Sequence, residues 1–246
     1  MTERFYILDF DGVICDSREE CMITSFNADR RLRGAAEPDF EGRCIASESR
    51  ALFRKYRFLA RTAREYKLLW DLIESGQPIS STQLIRDQVA ADEAELAVYE
   101  RLFYEVRAQW REQDSAGWLA ENPIFVNVAA KAVRWMEADR LAVVSAKDRG
   151  SILAIMSANG FPLDESVVWA IDEGRDKVGF FSEIRAAHPH SHVVLVDDHI
   201  ENLILARPFH FKLYLATWGY TADEIIRDAP RYGIEPISEA QFVAEA

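Results

Sequence analysis

Cysteine is scarce in this chain. The three present, Cys15, Cys21 and Cys44, form no CxxC pair and lack the ligand spacing of a zinc site. Neither a disulfide framework nor a structural zinc is therefore expected to hold the fold, and a reducing compartment suits the pattern. Long hydrophobic runs are missing as well. No stretch is long enough to cross a bilayer, and Met1-Thr2-Glu3-Arg4 leads straight into a short apolar segment. No signal peptide or membrane partner is expected, and the location implied is cytoplasmic. Positive charge is in deficit, with 29 Lys and Arg against 41 Asp and Glu and a net charge of −12. Such a surface repels phosphate backbones, so no nucleic-acid partner is expected, although a local basic pocket for a small anion is compatible with it. Repeats, low-complexity tracts and long linkers are absent. What remains is ordinary globular composition: 246 residues, 49% hydrophobic, enough to bury a core without cross-links.

The two ends of the chain differ in pattern from its middle. Phe5-Tyr6-Ile7-Leu8 reads as a buried strand that runs into Asp9-Phe10-Asp11-Gly12, where the glycine lets the backbone turn. Ser17-Arg18-Glu19-Glu20 matches a capping box and predicts a helix towards Leu32, broken by Gly34 and Pro38. The apolar positions Leu52, Tyr56, Leu59, Ala63, Tyr66, Trp70 and Ile73 predict one long helix over 47–75, ended by Gly76 and Pro78. A further stripe from Leu96 to Trp110 predicts a helix over 92–113. Beyond Pro123, helical stretches alternate with apolar runs at 141–145, 167–170, 192–196 and 211–215, the pattern of a parallel sheet covered on both faces. The fold class expected is α/β: a Rossmann-like parallel sheet core of residues 1–15 and 122–246, with an all-helical domain, 16–121, inserted after the first strand. Hinges are expected near Asp16 and in a polar connector between Ser115 and Pro123 that contains Gly117.

Ligands of such sheets bind beyond the carboxyl ends of the strands. Asp9 and Asp11 follow the first strand, Ser145 ends the second, Lys177 lies after the third, Asp197 and Asp198 follow the fourth, and Thr217-Trp218-Gly219-Tyr220 follows the fifth. Four acids, a hydroxyl and a cation on one rim suit a hard metal ion and a phosphate group.

In this order the motifs resemble the haloacid dehalogenase-like superfamily, specifically its phosphatases with a helical cap inserted after the first strand. The segments that carry the resemblance are Ile7-Leu8-Asp9-Phe10-Asp11-Gly12-Val13-Ile14-Cys15-Asp16-Ser17, then Val143-Val144-Ser145, then Lys177, then Val194-Leu195-Val196-Asp197-Asp198. The resemblance implies Asp9 as nucleophile and Asp11 as general acid–base. It implies Mg²⁺ held by Asp9, the Asp11 carbonyl and Asp198, with Asp197 behind or beside them. Phosphate would be held by Ser145, Lys177, Ala146 and the turn amides at Gly12 and Val13. The expected activity is hydrolysis of a small phosphorylated metabolite through an aspartyl-phosphate, in a cleft that the cap closes over. Specificity is expected from the cap and from Trp218-Gly219-Tyr220. A phosphomutase, or a non-catalytic binding protein on the same fold, are the alternatives, and the oligomeric state is open.

Competing readings attach to several of these residues. Asp-x-Asp-Gly alone is usually a turn, and an Asp pair after a strand is often a helix cap. Lys177 lacks the proline that often follows the family's lysine, and Lys147 is its rival. His188, His190 and His192 alternate as metal ligands could, but they precede the fourth strand, at the end of the sheet away from the acids. Arg54, Arg57, Arg61 and Arg64 recur at helical spacing, either as a solvated face or as a patch selecting an anionic substrate.

Overall fold

Every residue from Phe5 to Leu8 in β1 (Arg4–Leu8) is buried, as a strand covered on both faces requires. The computed structural model describes residues 4–170 and 176–244 and seats β1 at the centre of a six-stranded sheet. β1 pairs in parallel with β2 (Leu141–Ser145), Leu8 opposite Val143, and with β4 (His192–Asp197), Leu8 opposite Val196. β3 (Val168–Ala170) lies outside β2, while β5 (Lys212–Ala216) and β6 (Glu235–Ile237) lie outside β4. All neighbours are parallel, in the order β3-β2-β1-β4-β5-β6, which is the Rossmann-like arrangement expected. β6 is an addition to the sequence reading. Its three residues include Pro236 and form no apolar run, and a proline without an N–H is tolerated at a sheet edge.

Parallel strands need crossovers, and helices supply them. The helix before β2 spans Val126–Glu137, and helices at Arg149–Ala158, Lys177–Ala187, Ile200–Ala206 and Asp223–Asp228 follow β2, β3, β4 and β5. A last helix, Glu239–Ala244, follows β6. One face of the sheet packs Ile7, Val144, Leu195 and Leu215 against Phe180, Phe181, Ile184 and Leu203. Each such side chain contributes about 1.5–3 kcal/mol when fully buried. Among the described residues, no helix is long and apolar enough to cross a membrane.

The chain divides into two compact units, Met1–Asp16 with Pro123–Ala246, and Ser17–Asn122. The second is all helical: Arg18–Leu32, Ser47–Tyr56, Ala63–Ser75, Ser81–Ala90, Glu93–Gln113 and Ser115–Ala120. Three local readings need correction here. The helix over 47–75 is interrupted by a 3₁₀ turn at Arg57–Leu59 and by extended backbone at Ala60 and Thr62. Thr62 and Glu65 form a reciprocal capping box that starts a new helix there. The capping box expected at Ser17 does not form. Glu20 instead accepts from Arg107 at 2.8 and 3.1 Å and from Thr24 at 2.8 Å, a buried pair joining helices far apart in sequence. The polar connector expected between Ser115 and Pro123 is a helix over Ser115–Ala120, capped by Asp114, which accepts from the Gly117 amide at 2.9 Å.

The arginine stripe dissolves with the long helix. Arg54 pairs with Glu19, and Arg61 with Glu65. Arg64 pairs with Glu93 and Glu100, while Arg57 is buried over the Tyr66 ring and donates to the Ala60 carbonyl. These four cations are joined to partners inside the helical unit. They do not form one solvated face.

Candidate active site

The strand order reverses between β1 and β4, because the chain first builds outward through β2 and β3 and then crosses to the other side of β1. Such a switch point opens a crevice at the carboxyl edge. Asp9 is the first residue beyond β1, and Asp197 is the last residue of β4, so both carboxylates fall at that opening. The Asp9 amide donates to the Val196 carbonyl at 3.0 Å, which carries the ladder one residue past the strand.

The chain then folds into a tight loop. The amides of Val13, Ile14 and Cys15 converge on the Phe10 carbonyl at 3.3, 2.8 and 2.9 Å, and the Gly12 amide donates to the Cys15 carbonyl at 2.7 Å. The amides of Gly12 and Val13, expected to hold phosphate oxygens, are thus engaged in shaping the turn. Gly12 has φ +82°, a left-handed conformation that a side chain disfavours. A Cβ there would also lie 2.0 Å from Oδ2 of Asp198. Phe10, Val13 and Ile14 are fully buried and anchor the loop from below.

Lys177 lies in the first turn of the helix after β3, next to its Asp176 cap. Its Nζ donates to Asp9 Oδ2 at 2.7 Å and to Asp197 Oδ2 at 2.9 Å. Lys147 is present as well. Its buried Nζ lies 3.2 Å from Asp11 Oδ1, and its amide donates to Ser145 Oγ at 3.2 Å. The two lysines face different carboxylates, Lys147 that of Asp11 and Lys177 those of Asp9 and Asp197. Asp9, Asp197 and Asp198 are buried and offer carboxylate oxygens that all lie within 4.8 Å of one another. An oxygen-only set of this size could hold a hard divalent cation.

Asp197 and Asp198 differ in their surroundings. Asp197 accepts from the His199 amide at 2.8 Å and from the Asn202 side chain at 3.1 and 3.0 Å, besides Lys177. Asp198 Oδ2 accepts from the Tyr220 amide at 2.6 Å. Sequence reasoning missed His199, Asn202 and this use of Tyr220. Asn202, five residues beyond Asp197 on the following helix, carried a weak signal, whereas a backbone donor carries none. Trp218, Gly219 and Tyr220 act as braces: Trp218 Nε1 donates to the Val13 carbonyl at 3.0 Å, and the Tyr220 hydroxyl meets Asp16 Oδ1 at 3.2 Å. A Cβ on Gly219 would come 2.4 Å from the Gly12 carbonyl oxygen and 2.5 Å from Asp198 Cβ.

Burial raises the Asp9 carboxyl to about 7; Lys177 opposes this and the Asp197 charge adds to it. Burial pulls the Lys177 ammonium down, but Asp197 and Asp9 outweigh it and hold it above the ordinary lysine value. Two carboxylates, those of Asp9 and Asp197, share this ammonium, so the lysine stays charged and Asp9 is the group that can take up a proton. Asp11 is less enclosed than Asp9, with its side chain 18% exposed. The three alternating histidines lie elsewhere: His188 stacks on Phe5 with ring centroids 3.9 Å apart, and His192 begins β4.

No protein-family model and no curated protein sequence matches this chain. Solved structures do match its fold. A predicted phosphatase from Clostridium acetobutylicum is 13% identical, with a TM-score of 0.63 over 100% of this chain and 98% of that one. A candidate phosphoglycolate phosphatase from Lactobacillus delbrueckii subsp. bulgaricus is 14% identical, with a TM-score of 0.64 over 100% and 98%. A candidate haloacid dehalogenase-like hydrolase from Bacteroides fragilis is 16% identical, with a TM-score of 0.59 over 97% of each chain. The chain has the fold of the haloacid dehalogenase-like hydrolases along its whole length.

Proposed function

We propose that the chain is a magnesium-dependent phosphatase of the haloacid dehalogenase type that hydrolyses a small phosphorylated metabolite through an aspartyl-phosphate on Asp9. The observation that carries this reading is the meeting of the Asp9, Asp197 and Asp198 carboxylates within 4.8 Å at the switch point, with Lys177 bridging two of them. The names of the structurally similar proteins, phosphoglycolate phosphatase among them, support a phosphomonoester substrate.

Asp9, Asp198 and the Asp11 carbonyl are the groups that would hold magnesium, and Asp197, hydrogen-bonded on both oxygens, would orient them. When bound, the ion would offset the repulsion between a carboxylate and a phosphate dianion. Asp9 attacks phosphorus, and the bond from phosphorus to the leaving oxygen breaks. Asp11 gives its proton to that oxygen, leaving an alcohol and a phosphorylated Asp9. Asp11, now ionised, removes a proton from water as the water attacks phosphorus; inorganic phosphate leaves, and Asp9 is restored. Ser145, the Ala146 amide and Lys177 hold phosphate oxygens during both steps. The buried Lys147 keeps Asp11 in place from behind.

The test is phosphate release from a panel of phosphorylated metabolites and from 4-nitrophenyl phosphate, with Mg²⁺ and with EDTA. Turnover that needs Mg²⁺ and disappears in Asp9→Asn is expected. Turnover indifferent to EDTA, or retained in Asp9→Asn, overturns the reading.

A further inference from the structure

Arg4, His192 and Lys212 are the first residues of β1, β4 and β5, three neighbouring strands. The ladder sets Arg4 opposite His192, Tyr6 opposite Val194 and Val194 opposite Lys212. Paired residues in parallel strands share a face, and residues two apart on one strand do too, so all of these side chains stand on one side of the sheet. That side is covered by the helix Val126–Glu137, through Lys131 and Trp135, and by Phe242 of the last helix. The cover leaves a cavity of about 110 Å³, which these residues line together with Tyr214.

Its chemistry is unlike the rest of an acidic protein. Three cations and a histidine line it, and no carboxylate does so among the described residues. Its walls are aromatic: Tyr6 and Trp135 stack at 3.7 Å and 4°, and Phe242 meets Trp135 edge-on at 5.6 Å. Lys131 is buried, donates to the Phe242 carbonyl at 2.8 Å and lies 5.4 Å from the centroids of both the Trp135 and Phe242 rings. Lys212 is held between the Tyr214 ring and Glu235. The lysines are thus fixed by neighbours at the cavity wall, and cations fixed in place meet an anion with less loss of side-chain freedom than mobile ones. A volume of 110 Å³ equals the liquid share of about four waters. A nucleotide is too large for it, and a compact ring or short chain bearing one acidic group is not.

We propose that this cavity is a second ligand site, which takes a small organic anion with a flat apolar body: the acid group lies against Lys131, Lys212 and Arg4, and the body lies against the aromatic wall. It is separate from the Asp9 site. Five residue steps along β4 from His192 to Asp197 put the two roughly 16 Å apart, at opposite ends of the strands. The site stands whether or not the phosphatase reading does.

Benzoate is the probe, with cyclohexylmethanol as its uncharged counterpart, titrated calorimetrically into the full chain at physiological salt. Saturable binding of one benzoate and none of the alcohol is expected. Lys212→Gln, at a half-exposed position, should weaken benzoate about tenfold, as loss of one charged hydrogen bond does. Lys131→Met should weaken it further, and Asp9→Asn should leave it unchanged. Because Lys131 also caps a carbonyl, its variant is read only where circular dichroism shows a native fold; Lys212→Gln decides the matter alone. No saturable binding to the wild type, equal binding by the Lys212 variant, or loss of binding in Asp9→Asn overturns the proposal.

Discussion

The backbone of Gly219 runs so close to Asp198 that a side-chain carbon on the glycine would sit 2.5 Å from the Asp198 Cβ. Gly12 approaches the same carboxylate, its own would-be Cβ 2.0 Å from Oδ2. Asp198 is therefore aimed by two missing side chains as well as by the Tyr220 amide.

Gly219→Ala should displace the Asp198 carboxylate and lower kcat/KM for an aryl phosphate by about a hundredfold, the scale of a displacement near 1 Å. Gly12→Ala should do the same and add the strain of a left-handed alanine, about 1–2 kcal/mol of stability. Gly34→Ala is the control. It shares a left-handed φ of +92° but has nothing within 4 Å of the added carbon, so it should lose stability and keep activity. Steady-state kinetics beside thermal denaturation of the three variants separates the effects.

Asp11→Asn should separate the two halves of the proposed reaction. Nitrophenolate leaves without needing a proton, so attack by Asp9 should survive in part, while activation of water should not. Mixing this variant with 4-nitrophenyl phosphate should release close to one nitrophenol per chain in a burst. The phosphoryl group should remain on the protein, detectable by intact mass. Linear release without a burst would argue against the assigned role of Asp11.

The raised carboxyl of Asp9 has a signed consequence for stability. Its folded value of about 7 lies above the ordinary 3.8, so its favourable contribution is complete below about 4 and is lost as pH rises through 7. In EDTA, the wild type should therefore lose stability relative to Asp9→Asn between pH 5.5 and pH 8, by an amount on the order of a few kcal/mol. Urea denaturation of both proteins across that range measures it. Parallel pH profiles would mean that Asp9 stays ionised throughout.

In the helical unit, Thr62→Ala removes one side of a capping box and should cost about 1 kcal/mol. Glu65→Ala should cost more. The buried Glu65 carboxylate accepts from the amides of Arg61 and Thr62 at 2.5 and 3.0 Å as well as from the Arg61 guanidinium. Thermal denaturation of the two variants ranks them, and a reversed ranking would contradict the geometry.

What could be read from the sequence was what local chemistry dictates. The strands at 141–145 and 192–197 are continuous apolar runs, and a two-sided sheet makes such runs necessary. The acids that follow strand ends could be set on one rim because parallel strands all end on the same side. What could not be read depended on residues distant in the chain. The stripe through Leu59 and Ala63 keeps its helical spacing across a real break, and only Thr62-x-x-Glu65 marked the new start. Ser17 and Glu20 had the spacing of a cap, but a guanidinium 87 residues away took the glutamate. Lys147 and Lys177 looked like alternatives because the sequence does not show that Asp9 and Asp11 turn towards different neighbours.

The strand order also bears on how the sheet comes apart. Asp9 directly follows β1, and Ser145 and Asp197 end β2 and β4, while the outermost strands, β3 and β6, have three residues each and bear none of these groups. Fraying starts at such margins, where few ladder bonds must open, and amide hydrogens there should exchange with solvent well before those of β1. A sheet loosened at its borders would thus keep Asp9, Ser145 and Asp197 in register until the central strands part.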